Sequence, residues 1–234
     1  MIRLRLATQR HHDRRLRREV WRTFDPLDRN DRLGALEALD ESRLPPRADI
    51  PRRIGNQGEI ITYVRDGAVA YEDATGDTGV IHAGEFQRRT ATCETRHSEA
   101  NASRIEWAHV FQIQLRSTRE IAPGREQRRF SAAQRRGGLC LIASRDHRDS
   151  SLGIDQDTRI FSALLEPGQH VVHELAVGRA AWLHIVDGDI ALADLVLTAG
   201  DGAVVTAERA VSLIARKHAE ILLFDVRSDD VDGA

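Results

Sequence analysis

The residues in this sequence best suited to chemistry are His97 and Glu99, which lie in the string ETRHSEAN at positions 94–101. Residues two apart on a β-strand point to the same face, so a strand at this place would bring both side chains together. An imidazole and a carboxylate on one inward face are ligands that a first-row transition metal accepts. Taken alone, however, such a pair is more often a hydrogen-bonded pair in the core or at the surface than a metal site.

The other histidines give weaker signals. His170 and His173 are three residues apart, so on a regular strand they point to opposite faces, and we expect both at the surface. His11, His12 and His147 lie among charged residues, where solvated histidines are usual. No glycine-rich phosphate loop and no Ser-His-Asp order stands out in the sequence.

The elements that must position these residues are predicted to be mostly short strands. Residues 2–6 alternate apolar and basic side chains, and residues 59–70 give a β-branched run, an Asp-Gly turn and a second run, which predicts a hairpin. Residues 14–39 contain spaced leucines that could form a short helix, and residues 125–136 suit a connector with one or two helical turns. Further strands are predicted at 139–143, 160–165 and 221–224.

The sequence also contains an internal repeat. VRDGAVA at 64–70 resembles IVDGDIA at 185–191, and each copy is followed by Ala-Gly and an acidic residue, at 83–85 and 199–201. Two related β domains are the simplest interpretation. We place the boundary near Arg136, with an acidic tail at the end of the second domain whose residues 229–234 we expect to be frayed.

Composition argues against several classes of partner. The 234 residues carry 34 basic and 36 acidic side chains, so no overall charge favours nucleic acid or an anionic membrane. The basic segment from Arg10 to Arg22 is expected to be a solvated surface, although its composition is also compatible with a phosphate-binding patch or a targeting signal. Two cysteines, Cys93 and Cys140, and no long apolar run predict a reduced, cytoplasmic protein that does not enter a membrane.

Several strings, taken in order, resemble the pirin family of the cupin superfamily. They include EIITYV at 59–64, the Asp-Gly turn at 66–67, AGEFQR at 83–88, HSEAN at 97–101 and AEILLFD at 219–225. The resemblance covers most of the chain. It implies a mostly-β fold of two tandem cupin domains, which are double-stranded β-helix or jelly-roll barrels, at 1–136 and 137–234.

The resemblance also implies a metal site, and this sequence departs from it. In the pirin family the N-terminal cupin binds one metal, often iron, through a His-x-His pair together with the histidine and glutamate of the His-Ser-Glu string. The latter two fall on His97 and Glu99, but the former two fall on Arg53 and Gly55. Arginine is a cation at any usable pH and glycine has no side chain, so two of the four family ligands are absent.

We therefore expect a pocket with a degenerate metal site, lined by Arg53, Gly55, Glu59, His97 and Glu99. Our hypothesis is that Arg53 projects into the vacated space and pairs with Glu99, because a buried carboxylate without a partner is costly. Replacement ligands are conceivable at Cys93, His109 and Gln57, although a histidine in the strand around His109 is more often a satisfied core residue.

The resulting functional prediction is a pirin-like bicupin that is not catalytic and binds a small molecule or a protein partner. The alternative is a metal-dependent quercetin 2,3-dioxygenase with a rebuilt metal site, since some bacterial pirins oxidise quercetin with O₂. A third interpretation is a regulatory interaction protein. We expect no cofactor unless iron or another divalent metal occupies a rebuilt site, and we expect a monomer.

Overall fold

Strands make up most of this protein. The structure is a computed structural model, and it describes residues 1–15, 17–25, 28, 31–51, 58–73, 76–91, 97–117 and 122–228. The strands, in chain order, are β1 (Ile2–Arg5), β2 (His11–Arg15), β3 (Arg18–Arg22), β4 (Leu36–Leu44), β5 (Gly58–Asp66), β6 (Ala68–Asp73), β7 (Thr78–His82), β8 (Glu85–Ala91), β9 (His97–Asn101), β10 (Ala108–Arg116), β11 (Arg125–Arg129), β12 (Cys140–Ser144), β13 (Leu152–Gly153), β14 (Thr158–Leu165), β15 (His170–Glu174), β16 (Arg179–Asp187), β17 (Asp189–Leu192), β18 (Leu195–Thr198), β19 (Gly202–Val205), β20 (Ala210–Ala215) and β21 (Ala219–Arg227). One short helix, α1 (Ala132–Arg135), and two 3₁₀ turns, Ala7–Gln9 and Arg148–Ser150, complete the described elements.

The chain folds as two β units. The first unit contains His11–Arg32 and Leu36–Phe130, and the second contains Met1–Arg10, Leu33–Ala35 and the chain from Ser131 onward. In the first unit the described strands form one sheet of order β11-β8-β5-β10-β4-β3-β2 and another of order β7-β6-β9. In the second unit the sheets have the orders β1-β19-β16-β21-β14-β12-β13 and β15-β20-β17-β18.

The Asp-Gly turns of the repeat connect sheets rather than adjacent strands. The predicted strands on both sides of Gly67 are confirmed, but β5 and β6 lie in different sheets, so the predicted hairpin is wrong. The same holds for β16 and β17 on either side of Gly188. Both glycines have a positive φ, near 80° in each case, which lets the chain turn a sharp corner from one sheet to the other.

Hydrogen bonds confirm that the repeat is structural. The backbone N–H of Gly84 donates to the carbonyl of Val64, and that of Gly200 donates to the carbonyl of Ile185, at 2.9 and 2.8 Å. These two pairs occupy the same places in the two copies of the sequence repeat. Each unit is therefore built on the same corner and the same return turn.

The first residues of the chain belong with its second half. β1 pairs antiparallel with β19, and its partly buried Ile2 and Leu4 pack against the apolar core of the second unit. Residues 1–10 therefore lie in the second unit, because a strand at the chain start completes a sheet formed far along the sequence. The division of the chain into domains at 1–136 and 137–234 stays a prediction.

Two other local expectations are corrected. The described parts of residues 14–39 contain no helix, since β3 and β4 lie there, and the predicted connector begins with the strand β11, which pairs with β8. Only α1 supplies the expected helical turn. Leu36 and Leu39 are both buried on β4. Apolar residues three apart in a short segment do not distinguish a helix from a strand. The tail at 229–234 lies outside the described residues.

Candidate functional site

His97 and Glu99 lie side by side on β9. Their backbone is held by pairing with β6, where Asp73 faces His97 and Tyr71 faces Glu99. Nε2 of His97 lies 3.1 Å from Oε1 of Glu99, and the two side chains are only 6% and 4% exposed. The strand therefore places this imidazole and this carboxylate together in the interior of the first unit.

The opposing sheet supplies neutral hydrogen-bond donors to Glu99. Gln112 on β10 donates from Nε2 to Oε2 at 2.6 Å, and Thr62 on β5 donates from Oγ1 to Oε1 at 3.3 Å. Gln112 and Thr62 face each other directly across the paired strands, so both reach Glu99 from one point of the sheet. Both oxygens of the carboxylate thus accept hydrogen bonds from protein groups.

A cation also lies beside the carboxylate. Nε of Arg89, on β8, is 3.9 Å from Oε1 of Glu99, and the arginine side chain is 16% exposed. Arg89 lies opposite Arg125 of β11. Arg125 in turn pairs with Asp73 at 2.9 Å and lies over the ring of Tyr71, 4.2 Å from its centroid.

We refer to Thr62, Arg89, His97, Glu99 and Gln112 as the Glu99 cluster. Burial is the largest single influence on the pKa of the Glu99 carboxyl, and it raises that pKa. The hydrogen bond from His97, the charge of Arg89 and the hydrogen bond from Gln112 all lower it, and together they outweigh burial. The net pKa is below the usual value for glutamate. Glu99 is accordingly a carboxylate whose negative charge is compensated by protein groups.

Glu59, another sequence-predicted pocket residue, is not brought to this cluster. Glu59 is buried on the opposite face of β5 from Thr62, where it lies 3.3 Å from Nε of Arg88. Because successive side chains of a strand point to opposite faces, Glu59 points away from Thr62 and Glu99. Arg53 and Gly55 lie outside the described residues, as do Gln57 and Cys93, so the predicted pairing of Arg53 with Glu99 stays a prediction.

His109 is a core histidine rather than a replacement ligand. Its Nε2 lies 2.8 Å from Glu41, and its ring packs beside Phe111. Along β10 it points to the opposite face from Gln112, since the two are three residues apart.

The described residues do not fit a metal of the kind that the family resemblance implies. They contain no group of three or more His, Cys, Asp and Glu side chains that could hold a metal ion. A catalytic metal commonly needs about three protein ligands and an open position, whereas His97 and Glu99 supply two. Both Glu99 oxygens already accept hydrogen bonds, and a guanidinium rather than a further ligand lies beside them.

Sequence reasoning missed three members of the Glu99 cluster, namely Thr62, Arg89 and Gln112. Thr62 and Gln112 lie on strands whose buried side chains are largely apolar, and Arg89 lies on the neighbouring strand β8. A polar residue at such a position is the signal that could have identified Thr62 and Gln112. Arg89 is harder to find, because it follows another arginine and the sequence does not say which of the two points inward.

The second unit has no equivalent of this cluster at the matching place. In the first unit Tyr71 pairs with Glu99, and at the corresponding place of the repeat Leu192 pairs with Leu213. Leu213 is 2% exposed and belongs to the apolar core. The second unit therefore fills with leucine the position where the first unit holds a carboxylate.

His173 departs from the sequence expectation. It is half-buried on β15, and its Nε2 donates to Oδ2 of Asp225 at 3.0 Å. His170, by contrast, is exposed, as expected, and bonds to Ser212. The two histidines do point to opposite faces, but the inward face of β15 meets a buried aspartate.

Comparison with known proteins identifies the family. Residues 6–115 match the profile described as pirin, and residues 141–226 match the profile described as the quercetinase C-terminal cupin domain. A protein of Escherichia coli K12 named quercetin 2,3-dioxygenase is 33% identical over 231 residues, which cover 97% of this chain and 99% of that protein. The chain belongs to the pirin family. The resemblance found in the sequence and its tandem cupin fold are thereby confirmed.

Other pirin-family relatives extend the likeness. A pirin-like protein of Caulobacter vibrioides is 31% identical over 204 residues, with 86% of this chain and 87% of that protein covered. The crystal structure of the E. coli bacterial pirin YhhW in complex with nickel(II) matches with a TM-score of 0.89 at 32% identity and covers 97% of this chain and all of that one. None of the described helices of the present chain has the length and apolar character needed to cross a membrane.

Proposed function

We propose that this pirin-family protein binds a small polar molecule in its first unit by means of protein side chains, without the metal of the family. One observation carries the proposal: both oxygens of the buried Glu99 carboxylate are bonded by Gln112 and Thr62, and a guanidinium lies beside them. These contacts fix the position of the carboxylate to which we assign the ligand.

The comparison between the two units supports a functional rather than a structural role for the cluster. The second unit closes its core with Leu213 at the matching position, so the fold does not need polar groups there. Buried charged groups seldom add stability over well-packed apolar side chains of similar volume. Buried charged groups that do not improve stability are expected at binding sites.

A second candidate is metal-dependent quercetin 2,3-dioxygenase activity. It is favoured by the names of the relatives at 33% and 30% identity, from E. coli and Pasteurella multocida, and by the nickel(II) complex of YhhW. This candidate requires ligands in addition to His97 and Glu99, supplied by residues outside the described ranges. The relatives' names favour dioxygenase activity. The absence of the two family histidines at positions 53 and 55 of this sequence favours metal-free binding of a small polar molecule.

The experiment that separates the two is a metal analysis of protein purified without chelators, followed by quercetin assays. We expect far less than one iron, nickel, copper or zinc per chain, and no oxygen consumption with quercetin and added Fe²⁺ or Ni²⁺. Quercetin itself is the first probe of binding, measured by isothermal titration calorimetry. Glu99→Gln is expected to change its affinity, and Glu106→Gln, at an exposed glutamate, serves as the control. One tightly held metal per chain together with quercetin turnover would establish the second candidate instead.

A further inference from the structure

We infer that Arg89 is the charge that stands in for the family's metal beside Glu99, so that restoring the missing histidines while Arg89 is present would give weaker metal binding than restoring them after Arg89 is removed. This inference rests on the proposed function, since it takes the first unit to be free of metal. It assigns to a residue of β8 the role that the sequence suggested for Arg53.

The geometry places Arg89 where it must act on the carboxylate. Its Nε lies 3.9 Å from Oε1 of Glu99, and the carboxylate side chain is 4% exposed. At this distance and degree of burial, water screens the interaction much less than at the surface. The guanidinium cannot lose its proton at usable pH, so its charge is permanent.

The neighbouring strand gives Arg89 a like-charged neighbour. Arg89 lies directly opposite Arg125 of β11, and like charges in opposite positions of paired strands destabilise a sheet. Arg125 has its own acidic partners, Asp73 and Asp77. Glu99 is an acidic neighbour of Arg89, so the two arginines lie beside different carboxylates.

The same geometry opposes a divalent cation. A metal bound by His97 and Glu99 would share Glu99 with the guanidinium and would be repelled by it. The gain of ligands at positions 53 and 55 would then be offset by the charge of Arg89. Replacing Arg89 by methionine keeps an unbranched side chain of similar length and removes the charge.

The test compares nickel(II) binding, by isothermal titration calorimetry, among four proteins. These are the wild type, the double variant Arg53→His/Gly55→His, that double variant with Arg89→Met, and that double variant with Arg88→Met. Arg88 is the matched control, because it is the adjacent arginine on β8 but pairs with Glu59 on the other face. We expect no stoichiometric binding by the wild type, and at least about tenfold tighter binding by the Arg89→Met protein than by the double variant or the Arg88→Met protein.

The outcomes are distinguishable. Stoichiometric nickel binding by the wild type would overturn both this inference and the proposed function. A second result would overturn the inference alone: the wild type holds no metal, and the double variant and its Arg89→Met derivative bind nickel(II) equally well. Absence of binding by both variants counts as this result. Circular dichroism establishes that each variant is folded.

A double-mutant cycle on stability provides an independent measurement that does not depend on metal. Arg89→Met and Glu99→Gln are each expected to lower the melting temperature, and the double variant is expected to lose less than the sum of the two. Strictly additive losses would contradict a direct charge pairing of Arg89 with Glu99.

Discussion

Asp225 shows how a single buried carboxylate stabilises the second unit. It is fully buried and accepts hydrogen bonds from Arg179 and His173, while Arg159 lies 3.6 Å away. Removing the charge of one member of a buried network leaves the others without compensation, which costs about 3 kcal/mol or more. We expect Asp225→Asn to lower the free energy of unfolding by about this amount in urea denaturation at pH 7. Asp157→Asn is the control, because Asp157 pairs with the same arginine but is 50% exposed, and it should cost less than about 1 kcal/mol.

The same carboxylate predicts a pH dependence with a definite sign. Burial raises the pKa of Asp225, but the hydrogen bonds from His173 and Arg179 lower it further, so the net pKa is below the usual aspartate value. A carboxyl whose pKa is lower in the folded state stabilises that state at pH values above its pKa in the unfolded chain, which is near 3.9 for aspartate. This stabilisation is lost as the pH falls through the pKa of the folded state. The difference in stability between wild type and Asp225→Asn should therefore shrink as the pH falls below about 4. A difference that stays the same or grows below about pH 4 would contradict this assignment.

At the scale of elements, the corner between β16 and β17 depends on Gly188. Its φ is +81°, and a Cβ there would lie 1.9 Å from the carbonyl oxygen of His218. Gly168 of the same unit has a φ of +84°, and the space that a Cβ would occupy there is open. Both alanine substitutions carry the strain of a positive φ, about 1 kcal/mol, but only Gly188→Ala also displaces backbone. We expect Gly188→Ala to lower the melting temperature clearly more than Gly168→Ala, and equal effects would show that the corner can relax.

The same corner shows what the sequence could and could not predict. The Asp-Gly pair and its repeat identified the turn, the flanking strands and the duplication, because turn chemistry is local. The hairpin inferred from them was wrong, because the choice of neighbouring strands depends on pairings far apart in sequence, such as β5 with β10.

The candidate site also contains residues that the sequence could identify and residues that it could not. His97 and Glu99 were identifiable because they are two apart on one strand and lie in a recognisable string. Arg89 and Gln112 come from strands β8 and β10, and only the three-dimensional pairing brings them to Glu99. Sequence reasoning therefore found the carboxylate and anticipated a cationic partner for it. Among the described residues Arg89 lies beside it, and the pairing of Arg53 with Glu99 stays a prediction.

At the scale of the whole molecule, the chain start is part of the second half. Without β1, β19 would be the edge of its sheet, with unpaired backbone groups and uncovered apolar side chains. Leu4 is partly buried against the apolar core, while Arg3, on the other face of the same strand, is exposed. Leu4→Asp places a charge against that core and should cost about 2 kcal/mol or more, whereas Arg3→Asp should stay within about 0.5 kcal/mol of the wild type. Because a loss of 1 kcal/mol lowers the melting temperature by about 2–4 °C in a protein of this size, calorimetry of the full-length variants resolves the two. Equal melting temperatures would mean that β1 contributes little, and that the second half is stable without the first residues of the chain.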